Sequence, residues 1–291
     1  MATRKIRKAV IPAAGWGTRF LPVTKAIPKE LLPLSDKPVI QHTVEEAVAS
    51  GIEQIIIVTS PGKQALEQHF APHPELEAAL EQRNDRELLE KVRRTSRLAD
   101  IRYVTQEEPR GLGHAVLTAA DLVGDEPFAV FLPDDLFVAD PPLIRQMEEV
   151  YSRFGGCVLA LLRVEPEDTR RYGIVEPEQV DERVYRILGM VEKPAPEQAP
   201  SHLAIMGRYI LTPQIFDALR ETTPGKGGEI QLTDGMARLR MQQDVYGYEF
   251  KGTYFDAGKP LGLLRTSIAW GLNHPEMGPD LRAFLRQLLG D

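Results

Sequence analysis

Short apolar runs alternate along this chain with segments whose apolar residues recur at helical spacing. The first run, Ala9 to Ile11, reads as a buried strand. Val39 to Ser50 reads as a helix that stops at Gly51, and Ile55 to Val58 as the next strand. The charged stretch from Gln64 to Leu98 is helical in pattern and reads as surface helices, interrupted at Pro72 and Pro74. Those prolines also spoil the helix on which His69 and His73 would form a metal pair, so both are expected to be solvated. Farther on, Ile101 to Thr105 is a strand, Ala115 to Leu122 a helix and Phe128 to Leu132 a fully apolar strand. Pro142 to Phe154 is an amphipathic helix and Cys157 to Arg163 another buried strand. Val184 to Val191 leads into Glu192, Ala204 to Leu211 reads as a strand with Gly207 in its middle, and Pro213 to Arg220 as a helix. The run GKGGEIQLTD, Gly225 to Asp234, opens a helix toward Gln242. Val245 to Phe250 and Tyr254 to Phe255 are short strands, and the helices Pro260 to Gly271 and Pro279 to Leu289 pack on the core or on a neighbouring subunit.

This alternation predicts an α/β fold, Rossmann-like, with a mostly parallel central sheet flanked by helices and joined by right-handed crossovers. Ligands in that architecture gather at the carboxyl ends of strands. No internal repeat or clear linker divides the chain, and 291 residues lie near the upper end of what one hydrophobic core supports, so length alone allows one domain with appendages as readily as two.

Composition narrows the classes. A 43% hydrophobic and 26% charged content is that of an ordinary globular protein, and the net charge of -7 argues against nucleic acid as a partner. One cysteine, Cys157, excludes an internal disulfide, and its apolar surroundings make it a strand thiol rather than a nucleophile. The basic start MATRKIRK is not followed by an apolar segment with a cleavage site, and no run is long enough to span a membrane; a cytoplasmic protein is expected.

Candidate chemistry begins at the end of the first strand, in KAVIPAAGWGTRFLPVTKAIPKELLPLSDKP. Gly15 and Gly17 let the main chain approach a ligand and offer its N–H groups to phosphate, and Arg19, Lys25 and Lys29 follow to meet the charge. The dinucleotide fingerprint fails because its third glycine position is Phe20, and no Gly-Lys-Ser/Thr run exists for a Walker loop. The apolar strand ending in Leu132 delivers Asp134 and Asp135 to the mouth of a cleft, where paired carboxylates repel unless a cation joins them. Magnesium suits such oxygen ligands, and Asp256, at the end of another strand, invites pairing with Asp134 across one metal.

The run GWGTRFLP...TKAIPKELLPLSDKP resembles the signature of the sugar-1-phosphate nucleotidylyltransferases, and its PKELLP wording that of the bacterial UTP–glucose-1-phosphate uridylyltransferase family. Trp16, between the glycines, departs from the smaller or aliphatic residue usual there. The resemblance implies one nucleotidyltransferase domain over 1–291: about 1–140 the nucleotide half, about 141–260 the sugar-phosphate half, and 261–291 the C-terminal helices. It implies that Ala13, Ala14, Gly15, Gly17 and Thr18 hold the nucleotide and its phosphates, with Arg19 and Lys29 on the leaving group. Gln106 and Gly111 of the Q...GLGH segment would read the base. Gly173, Glu192 and Lys193 would hold the sugar phosphate, Glu229 would line its pocket, and Asp134 and Asp256 would carry Mg2+. The implied substrates are UTP and glucose 1-phosphate and the implied assembly a homodimer or homotetramer. Alternatives are a dTTP-using thymidylyltransferase and a non-catalytic module that binds a sugar nucleotide as a regulator.

Overall fold

The computed structural model describes residues 5–225 and 228–290. Lys226 and Gly227 of the GKGGEIQLTD run, and the first four residues of MATRKIRK, lie outside the described residues. In chain order the elements are β1 (Lys8–Pro12), β2 (Pro33–Leu34), β3 (Lys37–Pro38), α1 (Val39–Ala49), β4 (Gln54–Thr59), α2 (Gln64–Phe70), α3 (Pro74–Gln82), α4 (Arg86–Thr95) and β5 (Asp100–Thr105). Then come α5 (Leu112–Thr118), α6 (Ala120–Val123), β6 (Phe128–Phe131), β7 (Asp135–Val138), α7 (Leu143–Phe154), β8 (Cys157–Arg163), β9 (Gly173–Asp181), β10 (Val184–Glu192) and β11 (Leu203–Leu211). The chain closes with α8 (Gln214–Arg220), α9 (Leu232–Leu239), β12 (Val245–Glu249), β13 (Thr253–Asp256), α10 (Pro260–Asn273) and α11 (Gly278–Leu289).

Nine strands form the central sheet in the order β5-β4-β1-β6-β11-β8-β12-β10-β9. From β5 to β6 every neighbouring pair is parallel, as strand–helix alternation requires. Beyond β6 the sheet is mixed: β11 runs antiparallel to both β6 and β8, and β10 antiparallel to both β9 and β12. Only Glu182 and Arg183 separate β9 from β10, and a connection that short joins only antiparallel strands.

Alternate residues of the central strands enter opposite cores, which is why those strands are apolar throughout. Ile55 and Ile57 of β4 pack with α1, α2 and α7, whereas Ile56 and Val58 pack with α5, α8 and α9. A buried cation interrupts this apolar interior. Arg208 of β11 is 0% exposed and donates to Glu46 of α1 through Nε at 2.9 Å and Nη2 at 2.6 Å. Its Nη1 donates to the carbonyls of Leu132 and Gly207 at 3.0 and 2.8 Å, and its Cζ lies 4.7 Å from the ring centroids of Phe131 and Phe137. These bonds use four of the five N–H donors of the guanidinium.

Between the two C-terminal helices the packing differs. Trp270 of α10 sits edge-on against His42 and Phe255, while α11 leaves Phe284, Leu288 and Leu289 exposed. His69 and Gln41 are hydrogen-bonded at 3.0 Å, and His73 caps α3 by accepting from Leu76 N–H, so the two histidines face separate partners. Among the described residues no helix is long and apolar enough to cross a membrane.

Candidate active site

Two adjoining cavities of about 610 and 540 Å3 open at the carboxyl ends of β1 and β6, and both are lined by Arg19, Leu132, Asp134, Glu229 and Gly258. The larger also takes Ala14, Gly15, Trp16, Gly17, Thr18, Lys29, Gln106 and Gly111. Into the smaller reach Arg171, Gly173, Glu192, Lys193, Thr233, Tyr254 and Asp256. Of the residues expected around a nucleotide, only Ala13 faces away: its N–H goes to Val58 O at 2.7 Å and its carbonyl to the Lys63 ammonium.

The loop after β1 turns at Gly17, whose φ of 66° is left-handed. A Cβ there would also press on Thr24 and Lys29, at 3.0 and 3.1 Å. Trp16 is 72% exposed at the lip of the larger cavity, so it neither fills the core nor distorts the loop beneath it. At the far wall, the buried Gln106 lies with Nε2 2.8 Å from His114 Nδ1 and donates to Gly111 O at 3.3 Å. Gly111 has φ 95° and its missing Cβ leaves room for Ile230 O, which would otherwise stand at 2.8 Å. Burial and the nearby Arg110 hold His114 below the usual imidazole range, so a neutral ring meets the amide.

Between the cavities, Lys29 Nζ donates to Asp134 Oδ2 at 2.6 Å. Burial opposes both charges, but their mutual attraction prevails: Lys29 is raised and Asp134 lowered from their ordinary values. Asp256 arrives opposite Asp135 through the β7–β13 pairing, and Ala257 N–H donates to Asp134 O at 2.8 Å. A Cβ on Gly258 would stand 2.8 Å from Asp134 Oδ2 and 3.1 Å from Asp256 Oδ1, so both carboxylates converge on the space beside this glycine. Arg171 holds Asp256 from the other side at 2.7 Å.

Asp135, which lines the smaller cavity, accepts instead from Tyr254 Oη at 2.8 Å. Burial and the adjacent Asp134 push its carboxyl up to about 7, and burial with Asp135 pushes the Tyr254 phenol up as well. In the smaller cavity Glu192 accepts from Thr233 Oγ1 and pairs with Lys193 Nζ, each at 2.8 Å. Lys193 has φ 49°, and a Cβ on Gly173 would crowd Glu192 and Thr233 at 3.3 and 3.2 Å.

Two carboxylates, Asp134 from the turn after β6 and Asp256 from the end of β13, are hard oxygen donors facing one small space, a donor set that could hold a magnesium ion. Among the described residues no group of three or more His, Cys, Asp or Glu side chains forms a complete cage. Lys63, Arg171, Thr233 and the Asp135–Tyr254 pair are the neighbours that reading the sequence misses. Arg171 lies two residues before Gly173 and Thr233 lies inside the GKGGEIQLTD run, so both sit beside residues that the sequence does single out.

The chain matches the nucleotidyl transferase family over residues 8–269. It is 51% identical over 285 residues to the UTP–glucose-1-phosphate uridylyltransferase of Staphylococcus epidermidis, covering 98% of this chain and 99% of that one. Its structure is similar to a UTP-bound UGPase of Acinetobacter baumannii, with a TM-score of 0.91 and 38% identity over 97% of this chain and 99% of that one. It is also similar to a UDP-glucose pyrophosphorylase complexed with UDP-glucose, with a TM-score of 0.83 and 44% identity over 91% of this chain and 98% of that one.

Proposed function

We infer that this chain, which belongs to the nucleotidyl transferase family, transfers a uridylyl group from UTP to α-D-glucose 1-phosphate, giving UDP-glucose and pyrophosphate. The observation that carries the reading is the pair of cavities meeting at Arg19 and Asp134, as a reaction between a nucleotide and a sugar phosphate requires. A purely regulatory sugar-nucleotide module has no need of Lys29, Asp134 and Asp256, and all three are present.

In this reading the larger cavity takes UTP. The backbone of Ala14, Gly15, Gly17 and Thr18 faces the phosphates, and Gln106, whose two N–H donors are held by His114 and Gly111 O, offers its amide oxygen to the uracil edge beside Gly111. The smaller cavity takes the sugar phosphate, with Glu192 and Gly173 toward its hydroxyls and Lys193 toward its phosphate. That phosphate is already anionic near neutral pH, so its oxygen attacks the α-phosphorus without a general base. What the protein supplies is alignment and charge neutralisation. Arg19 and Lys29 offset the charge that grows on the departing pyrophosphate. Asp134 and Asp256 would hold Mg2+, which neutralises phosphate charge where two anions meet.

The test is pyrophosphate release with magnesium from UTP or dTTP, each paired with glucose 1-phosphate or galactose 1-phosphate. UTP with glucose 1-phosphate is expected to give the highest kcat/KM. No release from that pair would sink the assignment, and faster release from dTTP would shift it to a thymidylyltransferase.

A further inference from the structure

Lys63 has no part in the chemistry above, yet its ammonium is turned inward beneath the nucleotide loop. From the start of α2 it donates to Ala13 O at 2.5 Å, Gly15 O at 2.7 Å and Glu30 Oε2 at 2.9 Å. An ammonium has three N–H donors, so all are committed and none is left for a substrate. Glu30 is only 2% exposed. Burial pushes Glu30 up and Lys63 down, and each charge offsets that cost for the other.

The bond to two carbonyls has a directional consequence. A trans peptide holds its C=O and the next N–H on opposite sides. Drawing the carbonyls of Ala13 and Gly15 to one point behind the loop turns the N–H groups of Ala14 and Trp16 the other way, toward the cavity those residues line. Glu30, the third acceptor, adjoins Lys29, whose ammonium holds Asp134. One largely covered cation therefore ties the glycine loop to the segment that delivers the phosphate-facing lysine.

We propose that Lys63, paired with Glu30, is a positioning residue that presets residues 13–16 in their anion-binding form, in register with Lys29, and so sets the affinity for the triphosphate of UTP. This rests on the larger cavity being the nucleotide site. Lys63 touches no substrate, and its effect is confined to one of the two substrates.

The experiment compares Lys63→Met with the double variant Lys63→Met/Glu30→Gln. The readouts are the Kd for UTP by calorimetry, the KM for glucose 1-phosphate at saturating UTP, and the Tm. Losing charge-assisted bonds to two loop carbonyls should raise the Kd for UTP by about tenfold or more, with the KM for glucose 1-phosphate within about twofold of wild type. The single variant also strands a buried carboxylate and should lose Tm. In the double variant, removing that charge restores Tm while the UTP defect persists. Recovery of UTP affinity together with Tm in the double variant overturns the proposal, because Lys63 would then only neutralise Glu30. So does an equal loss for both substrates. The Kd ratio needs no turnover, so wild-type protein that binds UTP but releases no pyrophosphate overturns the assigned reaction alone.

Discussion

Arg208→Met tests the joint between the core and the site. The substitution keeps an unbranched side chain between Phe131 and Phe137 but removes both bonds to Glu46, whose side chain is only 11% exposed. A buried carboxylate stripped of its cation typically costs about 3–5 kcal/mol. Unfolding entropy of about 2.1 cal/mol/K per residue over 291 residues is about 0.6 kcal/mol/K, so that loss lowers Tm by about 5–8 °C. Scanning calorimetry near neutral pH reads it directly. A second variant separates charge from shape: in Arg208→Met/Glu46→Met the buried pair becomes apolar, a replacement that is often neutral or stabilising, and most of the Tm should return. Turnover should recover less than Tm, since Leu132 O, two residues before Asp134, still lacks the Arg208 bond. A single-variant shift under about 2 °C, or a double variant no more stable than the single, would refute the assignment of that energy to the buried pair.

Three further outcomes follow from the site. Lys29→Ala and Asp134→Ala should each lower kcat by orders of magnitude, on the order of 100-fold or more, with circular dichroism unchanged; near-normal turnover in both would remove these residues from the chemistry. Gly258→Ala sets a methyl 2.8 Å from Asp134 Oδ2 and should cut turnover at least about tenfold by steady-state kinetics; turnover within about twofold of wild type would count against the carboxylates needing the space beside this glycine. Asp135 holds its proton in the folded state up to about 7, whereas unfolded it ionises near 4, so between those values the folded chain binds more protons and this group's contribution to stability falls as pH rises. Asp135→Asn should thus raise the metal-free Tm above pH 7, with the gain shrinking as pH falls and absent below about 4; a pH-independent shift would count against this carboxyl.

What could be read from the chain divides along the range of the interactions. The strands β1, β4, β6 and β8 are legible because each is buried on both faces, which leaves an unbroken apolar run bounded by turn residues. The strand β9 is not, because its second half carries Glu176, Glu178 and Gln179 at a solvated sheet edge and so has no apolar period. Strand direction is equally invisible to periodicity, which has no sign; only the two-residue β9–β10 connection announces an antiparallel pair, and the reversal of β11 between β6 and β8 goes unmarked.

The same division runs through the site. Gly15, Gly17, Arg19 and Lys29 announce themselves because bare backbone followed by cations is meaningful within one short segment. Lys63 and Arg171 do not, since each takes its meaning from partners 50 and 85 residues away, Ala13 and Asp256. Arg208 is the extreme instance: a charge in a run of buried residues looks like a reason to turn that position toward solvent, and only a partner 162 residues away reverses the inference. Trp16 is local in sequence and still illegible, because its backbone serves the loop whatever its side chain does. With that side chain 72% exposed at the lip of the larger cavity, the loop's shape is set from behind by the Lys63 ammonium and not from above by the indole. A substitution at position 16 should therefore leave the loop intact, whereas one at position 63 should not.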